Sequence, residues 1–588
     1  MKNFIKYIFT TAIFLCASSC NTDFLNPPPE DRFGDVAVWE DPALVESFVN
    51  EMYRGLNHGI RELMLGSLAD ESQFIHNYGS TQIVQSNLTP ADVGSFSRGD
   101  FEEFNWNVLY GRIRQINLFL ENIEKVPFTE ADQLWKDRMI GEVHFLNAYF
   151  YHNLVRLYGG VPLVKRTFQL EDDFFIPRSS LDESIQYIVD ESNLAASLLP
   201  EDYSTSPDDI GRATKGAALA LKSRILLYAA SDLYNDPSWA GGYSNPELIS
   251  SSGSRTAKWQ AAKDAAKEVI DLGVYSLQDT DDPIQDYTDL FLLKDSKEAI
   301  FSRYFIKSRG WEDGALPGLA NGPNGYHNWG GNTPIQELVD DYEMTDGAAF
   351  DWSNPAHAAA PYENRDPRLA ATILYDHAIW RPRPSDTKDI DPEGKILIRS
   401  VEGPAGVWTP GLDTRDGPIE DWNGGYSGYY LRKFIDPNIE HEYAAAGGNQ
   451  EAPWHYFRYG EILLNYAEAS LGLGQEDEAK IYINMVRQRA GMPDITDTGQ
   501  TLIDRYQNER RIELAFEQHR YFDIRRWMIA PDVMVNANGI VIEDPLSGPV
   551  EYSINKIQDR AWNDKMYLLP IIQDEINRNE NLVQNPIY

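Results

Sequence analysis

A chain of 588 residues with 42% hydrophobic side chains can bury a large core, yet 90 acidic against 52 basic residues leave it with a net charge of -38. Nucleic acids and anionic lipid headgroups are bound through basic surfaces, so this balance speaks against both as partners and reads as a solubilising surface. The two cysteines, Cys16 and Cys20, leave no room for a disulfide scaffold, so stability falls to packing.

At the start of the chain Lys2 and Lys6 supply a basic segment and Tyr7 to Ala17 an apolar one. That stretch is about 11 residues long, against the roughly 20 needed to span a bilayer, and Ala17, Ser18 and Ser19 are small residues ahead of Cys20. The pattern predicts a lipoprotein signal peptide over 1–19, with lipid carried on Cys20. An ordinary secretory signal cut near Ser19 is the alternative. The proline-rich stretch that follows predicts a lipidated tether over 20–38.

From 39 to 300 the pattern is helical. Phe145, Tyr149 and His152 share one face and Leu146, Phe150, Leu154 and Leu157 the next, which predicts a buried central helix stopped by Gly159 and Gly160. Ala217, Ala218 and Ala220 are small enough for close helix approach, and Trp259, Ala262, Ala266 and Val269 continue the pattern. Ala467 and Ala479 have the separation of the two small positions of a tetratricopeptide repeat, with Gly472 and Gly474 at the turn. The expected fold is mainly α, with tetratricopeptide-like helical pairs around 212–235, 259–272 and 457–491. A second region, 301–588, adds irregular binding loops over 305–450 and a few short strands, one of them near Ala299 to Ile306.

No nucleophile elbow, phosphate loop or zinc-protease pair is present, and the alternating charges at Arg365, Asp366 and Arg368 or at Glu509, Arg510 and Arg511 read as ion-pair networks or solvated faces. His144 and His152 read as core or hydrogen-bonding residues. Asp279, Asp281 and Asp282 lack the glycine and distal glutamate of a calcium loop. No catalytic residue, metal ligand or cofactor is therefore expected.

Sugar recognition needs flat apolar faces together with amides, carboxylates and guanidinium groups. Trp311, Tyr326, His327, Asn328 and Trp329 offer these in a glycine-rich segment expected to expose them. His76, Asn77 and Tyr78, beside Phe74, form a second candidate group, and Trp380 with Arg381 and Arg383 a third. Trp106, Trp259, Trp454 and Trp527 are expected in the core.

Several blocks, in order along the chain, resemble the SusD-like (RagB/SusD) family: Phe150 to Val164, Thr333 to Gly347, Tyr362 to Leu369, Arg458 to Ala469, Glu509 to Trp527, Tyr567 to Ile571, and Asn581 to Pro586. The resemblance implies a non-enzymatic lipoprotein on the outer face of the outer membrane. Such a protein captures oligosaccharides and delivers them to a partner TonB-dependent transporter. A peptide-binding uptake lipoprotein of the same architecture is the alternative, and a glycoside hydrolase ranks third.

Overall fold

The structure, a computed structural model, describes residues 35–97, 101–306, 316–439 and 450–588. Its scaffold is a run of helices in which each packs on the next. After α1 (Pro42–Tyr53) and α2 (Trp106–Asn122) come α3 (Gln133–Tyr158), α4 (Leu181–Leu198), α5 (Lys215–Ala230) and α6 (Arg255–Asp271). Helix α7 (Tyr459–Gly472) then docks on α6, although some 190 residues of other structure intervene, α8 (Glu476–Arg489) packs on α7, and α9 (Gly499–Glu513) on both. The helical pairs expected around 212–235, 259–272 and 457–491 are thus present as one continuous solenoid, and the fold is mainly α.

Local chemistry sets the element ends. Ser180 and Glu183 form a capping box at the start of α4, and Thr214 and Ser254 cap α5 and α6. Gly159 ends α3 with a φ of 77°, which a side chain rarely tolerates. Small residues sit at the crossings. A Cβ on Gly472 would stand 2.4 Å from the Trp259 ring, and Ala467 and Ala479 are fully buried in one cluster. Trp106, Trp259, Trp454 and Trp527 are core residues as expected.

The region after α6 is more ordered than its composition suggests. Strands β1 (Ser72–Phe74), β2 (Ala299–Arg303) and β3 (Asn332–Pro334) precede β4 (Ser400–Gly403), β5 (Val407–Thr409) and β6 (Trp454–Arg458). The antiparallel pairing of β2 with β6 returns the chain to the solenoid. A four-stranded sheet runs in the order β8 (Glu551–Gln558), β7 (Ala537–Asp544), β4, β5. Leu338, Val339, Tyr342, Ile373 and Leu374 from the supposed loop region join the main core.

The alternating charges form a buried ion-pair network that ties this region to the solenoid. Arg458 reaches Glu298 and Glu513 at 2.7 Å and Glu517 at 2.6 Å, while Arg368 binds Asp366, Glu509 and Glu513. Three arginines hold the Glu513 carboxyl well below its usual range despite its burial. His144 meets Glu191 at 2.7 Å, and His152 is kept neutral by burial. Asp282 caps a short helix by accepting from the Gln285 amide, and no metal-binding cluster of side chains occurs among the described residues.

Candidate functional site

Two of the three candidate segments meet through the pairing of β1 with β3. Phe74 lies opposite Asn332, and the Ile75 amide donates to the Gly331 carbonyl at 3.0 Å, so the residues following β1 run beside those preceding β3. The His76 ring is hydrogen-bonded to the Trp329 backbone and stacks on Tyr78, at 6.4 Å between centroids and 13° between planes. Phe74, fully buried, packs edge-on against both rings and fixes them from beneath. Asn77 is exposed in the left-handed region, with a φ of 60°, a turn residue rather than a buried one.

The floor of this region is a net of asparagine hydrogen bonds. Asn332 donates to the Glu62 carbonyl at 2.7 Å and accepts from the Met64 amide at 3.0 Å, while Asn321 donates to the Arg61 carbonyl and accepts from the Asn332 amide. This anchors residues 61–64 against the glycine-rich segment. Asn324 does the same for residues 413–420, donating to the carbonyls of Thr414 and Ile419. Tyr430 adds a bond to the Asn324 side chain at 2.8 Å and one from the Gly425 amide. At Gly330, with a φ of 54°, a Cβ would lie 2.5 Å from the Asn423 carbonyl, so this approach requires glycine.

The segment brought in this way adds aromatic surface that the sequence analysis did not single out. Trp422 and Tyr426 are 63% and 44% exposed, Tyr78 is 39% exposed, and Trp329 is half-buried. Arg415 lies over the Tyr426 ring at 4.5 Å and donates to the Gly424 carbonyl. Arg415 and Glu62 both act on His76, from opposite electrostatic sides, and neither forms an ion pair among the described residues. Burial is the larger influence and holds the His76 ring below the usual histidine range. The signal was present in the sequence: Asp421-Trp-Asn-Gly-Gly-Tyr426 repeats the tryptophan, asparagine, glycine and tyrosine mixture of residues 321–331.

The remaining candidates divide between this face and its support. His327 is clamped by Asp386 at 2.9 Å and Glu420 at 3.1 Å, half-buried at the rim. Tyr326 corrects the expectation that glycine richness exposes the side chains of this segment. Its ring is fully buried, its hydroxyl donates to the Arg381 carbonyl at 2.9 Å, and the Arg383 guanidinium lies 4.2 Å from its centroid. The glycines here allow backbones to approach one another, which buries their neighbours. Asn328 is buried for the same reason, its amide oxygen packed against Gly322. Trp380 and Arg381 are likewise support: Trp380 is buried, and Arg381 donates to the Ile439 carbonyl at 2.6 Å. Trp311 and Cys20 lie outside the described residues.

The assembled face is open and aromatic, with a carboxylate, Glu62, and a guanidinium, Arg415, that form no ion pair among the described residues. Flat rings take the apolar side of a ring-shaped ligand, and the charged groups take its hydroxyls. Comparison with known proteins gives a consistent family. The sequence model of the SusD family matches residues 297–588, and that described as starch-binding associating with outer membrane matches residues 23–227. A SusD-like protein of Bacteroides ovatus is 20% identical over 91% of this chain and 84% of its own. The SusD-like protein P38 of Formosa agariphila is 24% identical over 78% and 77%. Among solved structures, a SusD-like protein from Bacteroides fragilis superposes with a TM-score of 0.74 and 28% identity, over 96% of this chain and 99% of that one. A laminarin-binding SusD-like protein shares the fold, with a TM-score of 0.60 and 20% identity over 93% and 99%. With two family models that together span most of its length and the same fold in solved members, the chain belongs to the SusD-like family.

Proposed function

We propose that this chain is a glycan-binding lipoprotein of the cell surface that captures oligosaccharides and hands them to a partner TonB-dependent transporter in the outer membrane. The observation that carries the reading is the open face of Tyr78, Trp329, Trp422 and Tyr426, beside which Glu62 and Arg415 form no ion pair among the described residues. Family membership supports an association with the outer membrane, the description one of the matching models bears. The laminarin-binding relative supports a sugar as the ligand class. No described helix is long and apolar enough to cross a membrane. In this reading the chain is held to the membrane by lipid on Cys20. In this reading the protein acts by binding, as the family resemblance implies.

Titrating the purified chain against a panel of soluble polysaccharides and peptides tests the ligand class. Saturable binding of a glycan, lost on truncation of the exposed rings, is the expected result. Binding of peptides alone would replace this reading with peptide uptake. Anchoring is tested by Cys20→Ala, which should move the protein from the membrane fraction to the soluble one.

A further inference from the structure

The segments that build the aromatic face and its rim are unevenly charged. Residues 413–421 bring Arg415 together with Asp416, Glu420 and Asp421, while a fourth carboxylate there, Asp413, is spent on Arg383. Residues 61 and 62 add one charge of each sign, and the rim segment adds Lys388 between Asp386 and Asp389. Setting Asp413 aside, six carboxylates stand against three cations in these segments.

The cations are also the more committed groups. Arg415 lies over the Tyr426 ring at 4.5 Å and donates to the Gly424 carbonyl. Arg61 is hydrogen-bonded to the Asn57 side chain and acts on the buried Glu103 carboxyl. His327 stands between Asp386 at 2.9 Å and Glu420 at 3.1 Å, two carboxylates on one imidazole. His76 brings no cation at neutral pH, because burial holds its ring below the usual histidine range. On the acidic side, Asp421 accepts from the Trp422 amide at 2.9 Å and is exposed beside that ring, and Glu62 is half-buried near His76.

The chemistry of such a surface separates two classes of glycan. A carboxylate accepts hydroxyl hydrogens, and every uncharged sugar residue carries several of them. A uronate or sulfate group would instead be brought beside like charges, with one guanidinium already held by a ring and a carbonyl, in a chain of net charge -38. Physiological salt screens charges over about 8 Å, which leaves repulsion between groups in contact largely in place.

We propose, resting on the reading that this face holds a glycan, that its ligand is an uncharged polysaccharide, and that Glu62 with Asp416, Glu420 and Asp421 turns away chains bearing uronate or sulfate groups. Calorimetric titration tests this, first with starch, laminarin, galactomannan and xyloglucan against alginate, polygalacturonate and dextran sulfate. The carboxymethyl and hydroxyethyl derivatives of whichever polymer binds then separate charge from bulk. The expected result is binding confined to the neutral polymers and weakened by Trp422→Ala. The carboxymethyl derivative should bind about tenfold or more weakly than the hydroxyethyl one, with a gap that narrows as NaCl is raised and in the double variant Glu62→Gln with Asp421→Asn. An acidic polymer bound as tightly as any neutral one overturns the proposal and leaves the glycan reading standing, and equal affinity for the two derivatives does the same. If no polysaccharide binds, or if binding is indifferent to both Trp329→Ala and Trp422→Ala, the glycan reading of this face fails and the proposal with it.

Discussion

The Ile75 amide donates to the Gly331 carbonyl at 3.0 Å, a single antiparallel contact that extends the pairing of β1 with β3 and lays His76 to Tyr78 alongside Trp329. The candidate site therefore rests on a strand pair whose halves come from distant parts of the chain. The Asn332 side chain holds the same junction from below through Glu62, Met64 and Ser67. Replacing Asn332 with Ala would strand these buried partners. We predict a loss of about 1–3 kcal/mol in stability together with weakened glycan binding, measured by thermal unfolding and calorimetric titration.

Tyr326 and Trp422 should separate packing from binding. Tyr326→Ala should cost about 3–5 kcal/mol of stability, the usual range for emptying a large aromatic site, because the ring is enclosed and its hydroxyl satisfies the Arg381 carbonyl. Trp422→Ala should leave the melting temperature unchanged, since that ring is mostly in solvent. If the two variants melt alike, the assignment of Tyr326 to the support of the site is wrong.

The Gly472 to Trp259 contact leaves no room for a methyl group at this crossing. Gly472→Ala should therefore overpack it and cost about 1–3 kcal/mol, although alanine is the better helix former. A neutral or stabilising result in chemical denaturation would show that the solenoid can shift there.

Buried charges give two opposite expectations. Arg458 pairs with Glu298, Glu513 and Glu517 at once, so Arg458→Leu removes one cation from each of three buried carboxylates, leaving Arg489, Arg368 and Lys433 to hold them, and should cost about 3–5 kcal/mol. Glu71 is the reverse case. One of its oxygens accepts from the Phe516 amide at 3.0 Å, the other is buried without a hydrogen-bond partner among the described residues, and burial raises its pKa to about 7. A carboxyl whose folded pKa lies above its unfolded value near 4.5 holds its proton more tightly when folded. Its contribution to stability is therefore complete at low pH and fades as pH rises from about 4.5 to about 7, by up to roughly 3 kcal/mol. Glu71→Gln should flatten that part of the stability profile. An unchanged profile between pH 5 and 8 would show that Glu71 is ionised in the folded protein.

The helical scaffold was legible in the sequence because it is periodic: the apolar faces of the central helix, the alanines at 467 and 479, and the glycine stop at 159 each have one structural meaning. The candidate site was half legible. Composition singled out His76 to Tyr78 and Trp329, but the strand pairing that brings them together is non-local and leaves no periodic trace. Tyr326 misled because glycine can either expose a neighbour or let two backbones close over it, and Gly322, Gly325 and Gly330 do the latter. Trp422 and Tyr426 were passed over although their surroundings repeat the composition of residues 321–331. Arg381 and Arg383 looked like ligand-binding cations; Arg383 is instead spent on Asp391 and Asp413.

The central claim is that the face of Tyr78, Trp329, Trp422 and Tyr426 holds a glycan. Calorimetric titration of a polysaccharide that binds the wild-type chain into the Trp329→Ala and Trp422→Ala variants tests it most directly. The account predicts a loss of about 1–3 kcal/mol in binding for each, the range seen for aromatic stacking platforms, with the melting temperature of Trp422→Ala unchanged. Wild-type affinity in both variants would contradict it and place the sugar elsewhere on the molecule.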